Sequence, residues 1–266
     1  MDGQTGTQMA DIFRHWNSTE ELASYLVEIT EVCLRTKDPS DGSDLVEKIV
    51  DQAGQKGTGL WTVVSALQMG ASVPTIYAAL NGRVMSSMKP QRVAAESILR
   101  GPVVKSFDLV NPADGSGPLM DAVVLACMAS YAQGMELLRI ASAEHDYNLN
   151  MPSIAQIWKG GCIIRARLLK RIQDAFNANP QLENLLIDPW FADQVNRRLP
   201  GLAKVVAGAA EAGIPVPCLS STLDYINSYR TARLPQNLVQ AMRDCFGSHT
   251  YQRVDQEGTF HTEWLD

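Results

Sequence analysis

Apolar residues recur at helical spacing along most of this chain. Met9, Ile12, Phe13 and Trp16 fall at i, i+3, i+4 and i+7, which predicts an amphipathic helix. Ser18-Thr-Glu-Glu21 reads as a capping box, with Leu22, Leu26, Ile29 and Cys33 continuing the helical period behind it. Asp38-Pro-Ser-Asp-Gly-Ser43 is turn chemistry, after which Asp44 is placed to cap a helix carrying Leu45, Ile49 and Ala53, with Gly54 at its end. Helices are predicted over 61–69 and 74–88; in the second, Ile76, Leu80, Val84 and Met88 share one face and leave Arg83 off it. A long helix follows over 119–145, another over 152–177 with Gly160-Gly161 inside it, then helices over 190–212, 220–232 and from Leu234-Pro235 to about Gly247. Glycine, proline and polar residues between Gly101 and Pro118 read as a loop. No segment sustains period-two alternation, although 250–261 around Glu257-Gly258 has the make-up of one small hairpin. The fold class these patterns predict is all-α, without an internal repeat.

Composition narrows the function classes. With 266 residues, 45% of them hydrophobic, the chain is long enough to bury a sizeable core. Its 23 basic and 29 acidic residues give a net charge of −6, which argues against nucleic acid or an anionic membrane surface as a partner, so that any anion bound must meet local positive charge. The longest wholly apolar run, 122–129, falls far short of the roughly 18 residues a membrane helix needs, and the first residues lack the basic start and apolar stretch of a secretory signal. Five cysteines, none spaced C-x-x-C, suggest neither a disulfide framework nor a zinc ribbon, and a reducing cytoplasm fits them. His15, His145 and His261 show no zinc-type spacing, and no metal is expected.

Two clusters carry candidate chemistry. Lys56-Gly-Thr-Gly59 stands just before a helix and offers an ammonium, a hydroxyl and glycine-freed amides to an anionic oxygen; the competing reading is a glycine-rich connector with a solvated lysine. The spacing matches neither the Walker pattern nor G-x-G-x-x-G, so nucleotide binding by this chain is unsupported. Near the C-terminus, Arg243 and His249 flank Phe246-Gly247, where a turn at a helix end can aim guanidinium and imidazole at one ligand; helix-dipole stabilisation and packing are the plainer roles. The interleaved aromatics and histidines of the last residues mark a segment that docks, and the two clusters together suggest one phosphate site assembled by folding or by dimerisation. Arg165, Arg167, Lys170 and Arg171 read as a solvated helix face, and Glu20, Glu21 and Glu31 as caps and surface.

Lys56-Gly-Thr-Gly-Leu-Trp61, Gly160-Gly-Cys-Ile-Ile-Arg165, Gly213-Ile-Pro-Val-Pro217, Ser228-Tyr-Arg230, Leu234-Pro235 and the segment 243–251 together resemble, in family order, the decarboxylating 6-phosphogluconate dehydrogenases. The resemblance covers nearly the whole chain and corresponds to the all-helical C-terminal domain of that enzyme. It implies a helical substrate-binding and dimerisation domain over 1–246 and a largely extended tail over 247–266 that docks on the partner subunit. It also implies that Lys56, Thr58 and Arg83 contact the phosphate of 6-phosphogluconate, and that Arg243 and His249 complete the pocket of a neighbouring subunit in a homodimer. The family's βαβ domain that binds NADP, and its catalytic lysine and glutamate, have no counterpart in these residues. The chain alone is therefore expected to bind substrate phosphate and dimerise without turnover; the rival expectation is a catalytically silent helical module kept for dimerisation or for a partner.

Overall fold

A computed structural model describes residues 5–101, 109–111 and 115–265. Eleven α-helices make up the body of the described residues, which contain no sheet and only isolated β-bridges. The chain divides into two compact units, Met1–Tyr225 and Ile226–Asp266. The loop expected between Gly101 and Pro118 lies largely outside the described residues.

In the first unit, α1 (Gly6–Trp16) opens with a capping box from Thr5 and Gln8 and pairs with α2 (Tyr25–Arg35). The helix after the first turn does not start at Ser18. That hydroxyl donates to the His15 carbonyl, the chain turns, and Ser24 accepts the Val27 amide as the real N-cap. A second departure follows: the helix predicted over 45–53 is only a 3-10 turn over Leu45–Lys48. Asp44 does not cap it, because its carboxylate is taken by the Gly6 amide and by Lys37.

α3 (Thr58–Gln68) and α4 (Pro74–Ser87) pack against each other, and α4 is followed at once by α5 (Lys89–Ile98), a helix with no buried residue and so no apolar stripe to announce it. The spine of the unit is α6 (Pro118–Glu144) against α9 (Pro189–Glu211). By length and composition α6 is apolar enough to cross a membrane, yet Val124, Leu125, Met128, Ala129 and Ala132 are wholly buried within the unit. The two helices approach closely at Gly201, where a Cβ would lie 2.6 Å from Asp121 Oδ2. Arg198 fastens that crossing by donating to Asp121 and Glu21, each at 2.7 Å. The helix predicted over 152–177 is broken into α7 (Met151–Ile157) and α8 (Leu168–Ala178). Gly161, at φ +64, turns the chain left-handed between them, the conformation a glycine permits at least cost.

Helix α10 (Pro217–Tyr229) runs across the division between the units. Within the second unit α11 (Gln236–Gly247) ends at Ser248, and the remainder is irregular apart from one antiparallel bridge, Tyr251 with Phe260, joined by two 2.8 Å hydrogen bonds. The hairpin expected over 250–261 is thus present in minimal form.

Candidate functional site

α4 is held at its start by a neighbour. It begins at Pro74 without a side-chain cap of its own, and its first free amides, Thr75 and Ile76, donate instead to Oε1 of the fully buried Gln133 on α6, at 3.0 and 3.4 Å. The Gln133 amide nitrogen donates to Thr75 Oγ1 at 2.9 Å, and that hydroxyl shares a 3.1 Å hydrogen bond with Thr222. A buried polar network with every group satisfied fixes the helix that carries Arg83.

The loop bearing Lys56 lies along that helix. The Ala53 amide donates to Ser86 Oγ at 2.9 Å, and a Cβ on Gly59 would sit 3.6 Å from Leu80. Lys56 is midway between Ala53 and Gly59, and Arg83 is midway between Leu80 and Ser86, so two contacts bracket both cations on facing segments. Residues 80–86 span about 9 Å of helix, which confines both backbones to one small patch. Gly57 supplies the turn: at φ +99 it is left-handed and N-caps α3, placing Thr58 at the first helical position with the Trp61 ring 3.6 Å from where a Gly57 side chain would begin. Lys56, Thr58 and Arg83 are all exposed, and none has a side-chain ion-pair or hydrogen-bond partner among the described residues. Two cations and a hydroxyl beside a helix N-terminus, with their hydrogen-bonding capacity unspent, suit a phosphoryl group.

Arg243 and His249 belong to the second unit. Arg243 is exposed at the end of α11 and donates to Gln240 at 3.0 Å. His249 stands edge-on to Phe246, with ring centroids 5.9 Å apart, and lies so close to Gly247 that a Cβ there would be 2.9 Å from its Nε2. The backbone on both sides of His249 is left-handed, with Ser248 at φ +50 and Thr250 at φ +57. Non-glycine residues enter that region at a cost of about 1–2 kcal/mol each, so something must hold them.

The holding group is Asp244, which the sequence did not single out. Its side chain is fully buried and accepts from the Thr250 amide (2.9 Å), the Thr262 amide (3.1 Å) and Trp264 Nε1 (2.8 Å), while His261 Nδ1 lies 2.9 Å away. Burial alone would raise its pKa, but these donors, His261 first among them, outweigh it and hold the carboxyl at about 2. The Asp244 hydrogen bond in turn raises the His261 imidazole above its ordinary value. Gln240 completes the fastening by donating to the Thr250 carbonyl at 2.6 Å. A single carboxylate therefore gathers residues 250–264 around the corner that presents His249.

The basic residues of the 165–171 cluster lie against partners of their own. Arg165 lies in the 158–167 connection and Arg167 is the N-cap of α8, and Arg165 pairs with Glu28 (2.6 Å) and stacks over Tyr25. Arg171 pairs with Glu20 at 2.7 Å and lies over Trp190, and Lys170 pairs with Asp174. Glu20 and Glu21 are thus ion-pair partners and not helix caps, as is Glu31, which receives Arg14 and Arg35.

The family described as 6-phosphogluconate dehydrogenase, C-terminal domain, matches residues 2–264. The decarboxylating 6-phosphogluconate dehydrogenase of Synechocystis sp. is 51% identical over 267 residues, covering 99% of this chain and 55% of that protein. The NADP(+)-dependent decarboxylating enzyme of Bacillus subtilis is 44% identical over 263 residues, covering 99% of this chain and 56% of its own. Among solved structures, 6-phosphogluconate dehydrogenase of Plasmodium falciparum, described in its apo form and in complex with its cofactor NADP+ and its substrate 6-phosphogluconate, superposes with a TM-score of 0.87 at 42% identity, over 98% of this chain and 56% of that one. The chain spans about half the length of the curated relatives it matches.

Proposed function

We propose that this chain, which belongs to the 6-phosphogluconate dehydrogenase C-terminal domain family, forms the phosphate-gripping half of a decarboxylating 6-phosphogluconate dehydrogenase. In this reading Lys56 and Arg83 donate to the phosphate oxygens of 6-phosphogluconate, Thr58 adds its hydroxyl, and the start of α3 directs its free amides at the same group. The observation that carries the proposal is the bracketing of Lys56 and Arg83 by the Ala53–Ser86 and Gly59–Leu80 contacts, with neither cation spent on an internal partner.

Arg243 and His249 take a second part: each completes the pocket of the other subunit in a cytoplasmic homodimer with exchanged tails. The exposed apolar stripe of α11, formed by Leu238, Met242 and Phe246 with Val239 beside it, supports an assembling surface on this unit. In the intact enzyme NADP oxidises 6-phosphogluconate at C3, and the resulting β-keto acid loses CO2 to give ribulose 5-phosphate. The described residues contain no strand–turn–helix cradle for a dinucleotide's pyrophosphate, so this chain's own contribution is to bind and orient the sugar acid. The nicotinamide chemistry falls to the part of the relatives outside the matched region.

Isothermal titration of the chain with 6-phosphogluconate tests the site. A hydrogen bond to a charged group is worth about 1.5–3 kcal/mol, so Lys56→Ala and Arg83→Ala should each weaken binding by roughly ten- to a hundred-fold. Equal affinity in wild type and both variants would sink the assignment.

A further inference from the structure

The corner between α4 and α5 contains a proline whose missing hydrogen has been put to use. Pro90 has no N–H, so the Ser86 carbonyl, four residues earlier, lacks the helical donor it would otherwise receive. Arg92 supplies one: its Nη2 donates to Ser86 O at 3.1 Å, to Asp51 Oδ2 at 2.9 Å and, at 3.4 Å, to Asp51 O. Lys89 takes the other Asp51 oxygen at 2.6 Å. Ser86 itself faces two ways, donating its hydroxyl to the Arg83 carbonyl at 2.7 Å and accepting the Ala53 amide at 2.9 Å. Asp51 and Ala53 begin the segment that leads, through Gly54 and Gln55, to Lys56.

We propose that Arg92 and Ser86 are positioning residues of the phosphate site: Arg92 clamps Asp51 to the end of α4, Ser86 ties Ala53 to the backbone of Arg83, and together they hold the Lys56 loop in register with Arg83. Neither touches the ligand. The inference rests on the phosphate-site reading above and adds two residues to it. The stretch from 49 to 57 has no regular structure and is exposed over 51–56; without the clamp it would sample many positions, and the ligand would meet the cost of ordering it.

The test is titration of the full chain with 6-phosphogluconate, and separately with inorganic phosphate, alongside hydrogen exchange of residues 51–57 and thermal unfolding. Ser86→Ala should weaken both ligands by about tenfold, the scale on which outer-shell partners act at other sites, and speed exchange at 53–57, while Ser86→Thr, which keeps the hydroxyl, restores affinity. Arg92→Ala should act the same way, with Arg92→Lys only partly restoring it because an ammonium cannot span Asp51 and the Ser86 carbonyl as a guanidinium does. If Arg92→Ala unfolds the chain, the Ser86 pair decides. Lys56→Ala losing affinity while Ser86→Ala and Arg92→Ala bind like wild type would overturn the positioning role and leave the phosphate site standing; a wild-type chain that binds neither ligand would overturn both.

Discussion

The Lys56 loop and the C-terminal hook face the same problem and solve it with opposite materials. Each must hold a polar group on irregular backbone at the surface. The loop is secured by Asp51, whose side chain is 52% exposed, through ion pairs to Lys89 and Arg92 and a single serine bridge. The hook is secured by Asp244, wholly buried, with four donors from residues up to twenty positions away. Exposed pairs are weak, screened and quickly remade, whereas a buried carboxylate surrounded by donors is strong only while every donor is present. The loop is thus held in place by contacts that solvent and salt can reach, and the hook by contacts that they cannot.

The largest effect that can test this contrast is Asp244→Ala. It leaves the Thr250 and Thr262 amides and the Trp264 indole without their acceptor, and each donor left buried costs about 1–3 kcal/mol. Exchange at 248–264 should rise by well over tenfold while residues 51–57 keep wild-type rates; uniform loosening of the whole chain would dissolve the comparison. Next comes Gly57→Ala, which forces a Cβ onto a left-handed backbone at a cost of about 1–2 kcal/mol. Denaturant unfolding should register it, and phosphate affinity should fall with it.

Acidity separates the two regions further. Asp244 has a depressed pKa, about 2, so its contribution is complete above the ordinary carboxyl range and is lost as pH falls toward 2. His261 has a raised pKa, so its contribution is complete below about 6.5 and is lost as pH climbs through the folded-state value. Hook exchange, corrected for intrinsic rates, should therefore be slowest from roughly pH 4 to 6.5 and faster on the alkaline side. The loop should not share that alkaline change, because Asp51, held at about 2 by Lys89 and then Arg92, titrates far below it. The smallest effect is ionic: going from about 0.1 to 1 M salt shortens the screening length from about 10 to 3 Å, which should loosen residues 51–55 slightly and leave 250–262 untouched.

The same division governs what could be read from the chain. α4, α6, α9 and α11 are legible because each carries periodic apolar residues; the Lys56-Gly-Thr-Gly59 loop stands out as a candidate because glycines, a cation and a helix start are local signals, whereas Arg83 enters as a candidate only through the family resemblance. α5 is silent because it buries nothing, and the capping box at Ser18 misleads because Ser24, beyond the buried Leu22 and Ala23, makes the cap. The double glycine at 160–161, expected inside one helix, lies in the 158–167 connection that separates α7 from α8. Ser86 and Arg92 give no signal at all, and Asp244 stands only as one residue of the 243–251 segment that carries the resemblance, with no role of its own. Apart from the Arg83 carbonyl three residues before Ser86, their partners are six to forty-one positions distant, and no local pattern encodes such a meeting.

Because Asp244 draws on Thr262, His261 and Trp264 at once, residues 261–264 act as a plug. Clipping them would strand a negative charge in the interior and uncover the corner at 248–250, so exoprotease nibbling would register as an abrupt loss and not a gradual one.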